Sequence, residues 1–175
     1  MPARKKATKV TKGSTATPMP TPPGTFLVLG YGNVLRSDDG LGPRVAEAIA
    51  ALQLPNVRAL ACHQLTPELS EPVSQAQAVI FVDAAAAKEL SQVTVNAVLP
   101  EKGERFAPHR SSPGTLLALA ESLYGHCPPA WLVVVPAFTL DFGEELSPQA
   151  VPRLQEAVSA VQRLIQLARI SRPRC

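Results

Sequence analysis

Apolar positions along the chain fall into short continuous runs separated by stripes at helical spacing. Phe26–Leu29 is a buried strand: short, apolar and ended by Gly30. Leu41, Val45, Ile49 and Leu52 then step at helical intervals, with Pro43 tolerated in the first turn and Pro55 beyond the end. Val57–Ala61 reads as a second strand. Thr66-Pro67 is a cap followed by a first-turn proline, and Leu69 with Val73 marks a short amphipathic helix distorted by Pro72. Ala78–Ala84 ("AVIFVDA") is apolar on both faces, as in a central covered strand. Gln92–Val98 alternates with one wetter face. A polar loop spans 100–112, and Pro113-Gly114-Thr115 opens a helix carrying Leu116, Leu119, Ala120 and Leu123. Trp131–Pro136 is another buried strand, and Ala137–Leu146 a loop containing Gly and acids. The last and longest helix carries Val151, Leu154, Val158, Val161, Ile165 and Ala168 in one stripe. Either Ser147-Pro148 or Val151-Pro152 could open it.

Strands and helices alternate within one domain and without repeats. The pattern predicts an α/β three-layer sandwich: a twisted, mostly parallel five-stranded sheet with helices on both faces. Four strands should be parallel. Gln92–Val98 follows its neighbour so closely that it should be an antiparallel edge strand.

Composition sharpens this picture at the ends. Of 175 residues, 46% are hydrophobic and 18% charged, as in an ordinary globular protein. The 17 basic residues exceed the 14 acidic ones, but Arg4, Lys5, Lys6, Lys9 and Lys12 all lie within residues 1–24, which hold no acid. Residues 25–175 therefore carry 12 basic and 14 acidic residues. A basic tail on a mildly acidic body argues against a nucleic-acid partner. Five prolines and no sizeable apolar content make residues 1–24 an expected disordered tail. The expected domain is 25–170, and 171–175 should fray. The tail lacks the apolar core of a secretory signal, and no apolar run approaches the ~20 residues of a bilayer span. Cys62, Cys127 and Cys175 form no CxxC pair and leave an odd count, which points to a reducing, cytoplasmic setting. Cys62-His63 and His126-Cys127 resemble metal pairs, but neighbouring residues of a strand point to opposite faces and make poor chelates.

The stretch "GYGNVLRSDDGLG", Gly30–Gly42, raises the question of a phosphate loop. The dinucleotide fingerprint needs a glycine at position 35, which is Leu, and an acid at the end of the next strand, where Cys62 and His63 stand. No Gly-Lys-Ser/Thr follows, and Asp38 and Asp39 would repel a phosphate at the helix mouth. One of the two aspartates is expected to cap the helix, leaving the other, Asp39, to face the crevice. Asn33 is expected either to take left-handed geometry or to hydrogen-bond a ligand. Asp83 ends the strand "VIFVD", and His109 lies in the loop after the fourth strand. In a parallel sheet the loops at the carboxyl ends line one crevice. An antiparallel edge starts the loop after Val98 at the opposite end, but at over ten residues that loop is long enough to return there. Two carboxylates and one imidazole converging there, without thiolate, suit a borderline divalent ion. Gln64 and Thr66 should line the same crevice. No Ser-His-Asp or Cys-His set is placed for nucleophilic catalysis.

"GYGNVLRSDDGLGPRVAEAI" resembles the N-terminal signature of the [NiFe]-hydrogenase maturation endopeptidases, G-x-G-N-x-L-x-x-D-[DE]-G-x-G-x-x. "VIFVDAA" and "APHRSSPGTLLAL" are similar to that family's second and third blocks, and "HQLTPELSEP" to members serving bidirectional, NAD(P)-linked cytoplasmic hydrogenases. The resemblance covers residues 25–168. It implies an enzyme, a hydrolase that cleaves a C-terminal extension from the hydrogenase large-subunit precursor after nickel insertion. The cut falls after the basic residue that closes the substrate's last Cys-x-x-Cys motif. It also implies that Asp39, Asp83 and His109 form the metal-contacting set, with Asp39 and Asp83 catalytic and nickel carried by the substrate. Position 39 is Glu in some members, one methylene longer. Two mechanisms stay open. In one, substrate-held nickel docks on the three side chains and polarises the scissile carbonyl or a water. In the other, of aspartic type, a carboxylate is general base and nickel serves recognition. A monomer acting without nucleic acid or membrane is expected. The alternative is a non-catalytic nickel-sensing chaperone that only binds the large subunit.

Overall fold

The computed structural model describes residues 24–88, 90–101 and 112–170. Strands β1 (Phe26–Tyr31), β2 (Val57–Cys62), β3 (Ala78–Ala86), β4 (Thr94–Val98) and β5 (Ala130–Ala137) form one sheet in the order β2-β1-β3-β5-β4. β1, β2, β3 and β5 are parallel, and β4 pairs antiparallel with β5 at the edge. The helices are α1 (Leu41–Ala51), α2 (Ser70–Gln75), α3 (Pro113–Tyr124) and α4 (Ala150–Ile170). This is the expected mostly parallel sheet with an antiparallel edge strand. The expected tail and frayed end, apart from Gly24, lie outside the described residues.

Alternation along β1 explains the three layers. Phe26 and Val28 face one side, where Val45, Ile49, Val161 and Ile165 of α1 and α4 close a core. Leu27 and Leu29 face the other, against Val73 of α2 and Leu116, Leu117 and Ala120 of α3. Burying both faces requires the uninterrupted apolar runs seen in the chain. Along β4, by contrast, the middle three residues are exposed.

Element ends differ from expectation in instructive ways. β3 does not end at Asp83: it continues to Ala86 because Ala84–Ala86 pair with Val135–Ala137 of β5. Its pairing with β1 stops earlier, at Gly30 opposite Val82. Asp83 therefore stands at the first step where β1 has left the ladder. Ser147 settles the start of α4, because its hydroxyl accepts from the Ala150 amide at 3.2 Å. Thr66 precedes the short 3₁₀ turn Pro67–Leu69, yet its side chain makes no cap bond there.

Candidate functional site

The loop after β1 turns back on itself and delivers α1 onto the sheet. Gly32 has φ +143°, and a Cβ there would lie 2.0 Å from the Asp39 carbonyl oxygen. At Gly42, in the first turn of α1, a Cβ would lie 2.3 Å from the Tyr31 carbonyl oxygen and 2.6 Å from that of Val82. Helix and sheet meet backbone to backbone at this point. Gly42 thus fills the helix-packing role for which a glycine at 35 would have been needed in a dinucleotide loop.

The two adjacent aspartates divide their work, though not as expected. Asp38 does not cap α1, whose N-cap Gly40 has no side-chain cap bond. It is fully buried and accepts from the amides of Phe138, Thr139 and Ser147 at 2.8, 3.0 and 2.7 Å. It also accepts from the Ser147 hydroxyl at 2.8 Å. Burial alone would raise its pKa, but these donors outweigh it and hold the carboxyl below its ordinary value. The Ser37 amide donates to Gly143 O and the Gly143 amide to Leu35 O, at 2.7 and 3.0 Å. The glycine loop and the β5–α4 loop are thus stitched into one rim.

Asp39 is the part-exposed member of the pair, and its Oδ2 accepts from the Asn33 amide at 3.1 Å. Asn33 does not take left-handed geometry; Ser37 does, at φ 47°. The Asn33 side chain instead accepts from the Leu35 amide at 3.0 Å. Asp83 accepts from its neighbour Ala84 N–H at 2.8 Å and from the Tyr31 hydroxyl. Burial pushes its carboxyl above the ordinary value, partly offset by those two bonds and reinforced by the charge of Asp39. The structure therefore brings Asp39 and Asp83 within electrostatic reach at the carboxyl end of the sheet. Tyr31 is itself pushed up, by burial and by Asp83. His109 lies outside the described residues. The flanks of its segment are tied together, with the Ser112 hydroxyl 2.7 Å from Glu101 Oε1 and the Glu101 amide donating to Gly114 O at 3.0 Å. Among the described residues no three His, Cys, Asp or Glu side chains are grouped to hold a metal ion.

The remaining candidates are quieter. Burial pushes the Cys62 thiol up to about 11, and it donates to Gly30 O at 3.6 Å, which disfavours a nucleophilic thiolate. His126 bonds the Ser74 carbonyl through Nδ1 at 2.7 Å, a packing role. Gln64 is exposed and Thr66 part-buried just beyond β2. A cleft of about 210 Å³ is lined by Gly32, Pro43, Glu47, Cys62 and His63, among others, and neither Gln64 nor Thr66 is in its lining.

No family model and no curated protein matches the chain. Solved structures do. One is the hydrogenase maturating endopeptidase HybD from E. coli, at 22% identity and TM-score 0.67, covering 82% of this chain and 93% of that one. A hydrogenase 2 maturation peptidase from Thaumarchaeota archaeon SCGC_AB-539-E09 matches at 25% identity and TM-score 0.61, over 82% and 99%. An endopeptidase from Escherichia coli matches at 26% and 0.59, over 78% and 89%. The chain has the fold of the hydrogenase maturation endopeptidases. Within that fold, sequence reasoning missed Tyr31 and the rim loop 138–147. Tyr31 left one signal, a hydroxyl inside the apolar end of a strand. The rim left none, since its contacts join residues about a hundred positions apart.

Proposed function

We propose that this chain is an endopeptidase that removes the C-terminal extension of the [NiFe]-hydrogenase large subunit after nickel insertion. The observation that carries the reading is the pair Asp39 and Asp83, gathered at the carboxyl end of a sheet whose fold is that of hydrogenase maturation endopeptidases. Asp39, part-exposed and oriented by Asn33, takes the proton of an attacking water and hands it to the leaving amine as the C–N bond breaks. Asp83 is a carboxylate whose burial disfavours its own charge. A cation seated against it relieves that penalty. This suits the nickel carried by the substrate, with His109 as the further proposed contact. The large-subunit precursor is the partner, and the chain acts in the cytoplasm as a monomer, without nucleic acid or membrane. Among the described residues no helix is long and apolar enough to cross a membrane. The segment His63–Pro72, beginning beside the cleft, supports a bidirectional NAD(P)-linked hydrogenase as the target.

The test is to mix the purified protein with nickel-loaded and nickel-free precursor and to weigh the subunit. Shortening of the loaded form alone is expected. A non-catalytic nickel-sensing module would bind the loaded form and leave its mass unchanged.

A further inference from the structure

The register of the sheet sets three side chains in a row at its carboxyl end. Tyr31 lies opposite Cys62 of β2, and one step past the last β1–β3 pair it neighbours Asp83 of β3. Leu27, Leu29 and Tyr31 alternate onto the same face as Val79, Phe81 and Asp83. The Tyr31 ring packs on the core formed by those residues with α2 and α3. A Phe or Leu would fill this place equally well in apolar terms. The hydroxyl adds one contact, the hydrogen bond to the Asp83 carboxylate. A polar group on a largely buried ring is tolerated only where it finds such a partner.

We propose that Tyr31 is the positioning residue for Asp83, fixing that carboxylate in the direction from which it meets the cationic, metal-bearing end of the substrate. The inference rests on the endopeptidase reading of the site. Ala84 N–H holds Oδ1 from the backbone side at 2.8 Å, and Tyr31 holds the group from β1. Two donors restrict the rotation of the carboxylate at the carboxyl end of the sheet. The ring is anchored by packing, so the carboxylate is aligned before the substrate arrives.

The experiment compares wild type, Tyr31→Phe and Tyr31→Leu in steady-state cleavage of nickel-loaded precursor, with folding followed by thermal melting. Loss of a docking alignment should raise KM about 10- to 100-fold in both variants, with kcat held. Tyr31→Phe keeps the ring and should melt near wild type, while Tyr31→Leu should melt lower. Wild-type KM in Tyr31→Phe overturns the inference and leaves the endopeptidase reading intact. So does a fall in kcat at constant KM, which marks a lost active fraction. If the wild-type chain leaves the loaded precursor uncut, both fall together.

Discussion

Asp38 holds Ser147 twice, through the amide at 2.7 Å and the hydroxyl at 2.8 Å, across 109 positions of chain. Ser147 in turn accepts from the Ala150 amide and starts α4. One buried carboxylate thus fixes the glycine loop, the β5–α4 loop and the entry of the longest helix to each other.

Asp38→Ala should therefore be a stability variant. It strands three amides that have no other acceptor among the described residues, and bonds to a charged group contribute roughly 1.5–3 kcal/mol each before relaxation. A net loss of about 3 kcal/mol is expected in urea unfolding. The folded carboxyl is held below its ordinary value, so its contribution is present above about pH 4 and lost as pH falls below it. Wild type should lose stability over that acid range, and Asp38→Ala should show a flatter curve.

Gly32→Ala should break the loop rather than the core. The added Cβ would sit 2.0 Å from the Asp39 carbonyl, in a backbone conformation that L-residues rarely adopt. Either the loop moves, taking Asp39 with it, or the turn stays strained. At least about 2 kcal/mol of destabilisation is expected, together with loss of precursor cleavage.

What was legible followed from periodicity, and what was missed follows from distance. Phe26–Leu29, Ala78–Ala84 and Trp131–Pro136 announce a covered parallel sheet because both faces must be apolar. Topology alone then sends Asp39 and Asp83 to the same end. Asp38 was misassigned because capping is a local rule, whereas its partners lie a hundred residues away and nothing nearby marks them. Asn33 and Ser37 are the non-glycine candidates for a left-handed position in the turn. Composition favours Asn, but the structure gives it to Ser37, whose amide and hydroxyl bond Gly143 O and Asp141 O. His109 lies outside the described residues, and its part in the site rests on the resemblance.

Asp39→Asn should separate cutting from binding. Removing a general base costs typically 10²–10⁴ in rate, while the amide keeps the shape and can still accept from the Asn33 amide. Cleavage of loaded precursor should fall at least about 100-fold, and the variant should still retain the precursor in a pull-down. Loss of retention would show that Asp39 itself docks the metal-bearing end.

Cys62→Ala should leave cleavage intact. The thiol is held at about 11, so it is almost wholly protonated near neutrality and offers no competent nucleophile. A thiol-alkylating reagent should likewise leave the rate of precursor shortening unchanged.

Asp83→Asn should make the protein more stable and less useful. Burial raises the folded carboxyl above its ordinary value, so the folded state holds a proton there more tightly than the unfolded chain does. Its favourable contribution is complete below the ordinary value of 3.8 and is lost as pH rises through the raised one. Above that raised value the wild type carries an ionised carboxylate in a place that disfavours it. The isosteric amide removes that charge and can keep the Tyr31 contact. Thermal melting should show a Tm that gains on wild type as pH rises through the raised value, and no difference well below pH 4. Cleavage of loaded precursor should drop at least about 100-fold, the scale of deleting one partner of a buried charge pair. A variant that is stabilised but inactive marks Asp83 as a position where the fold gives up stability to meet a cation.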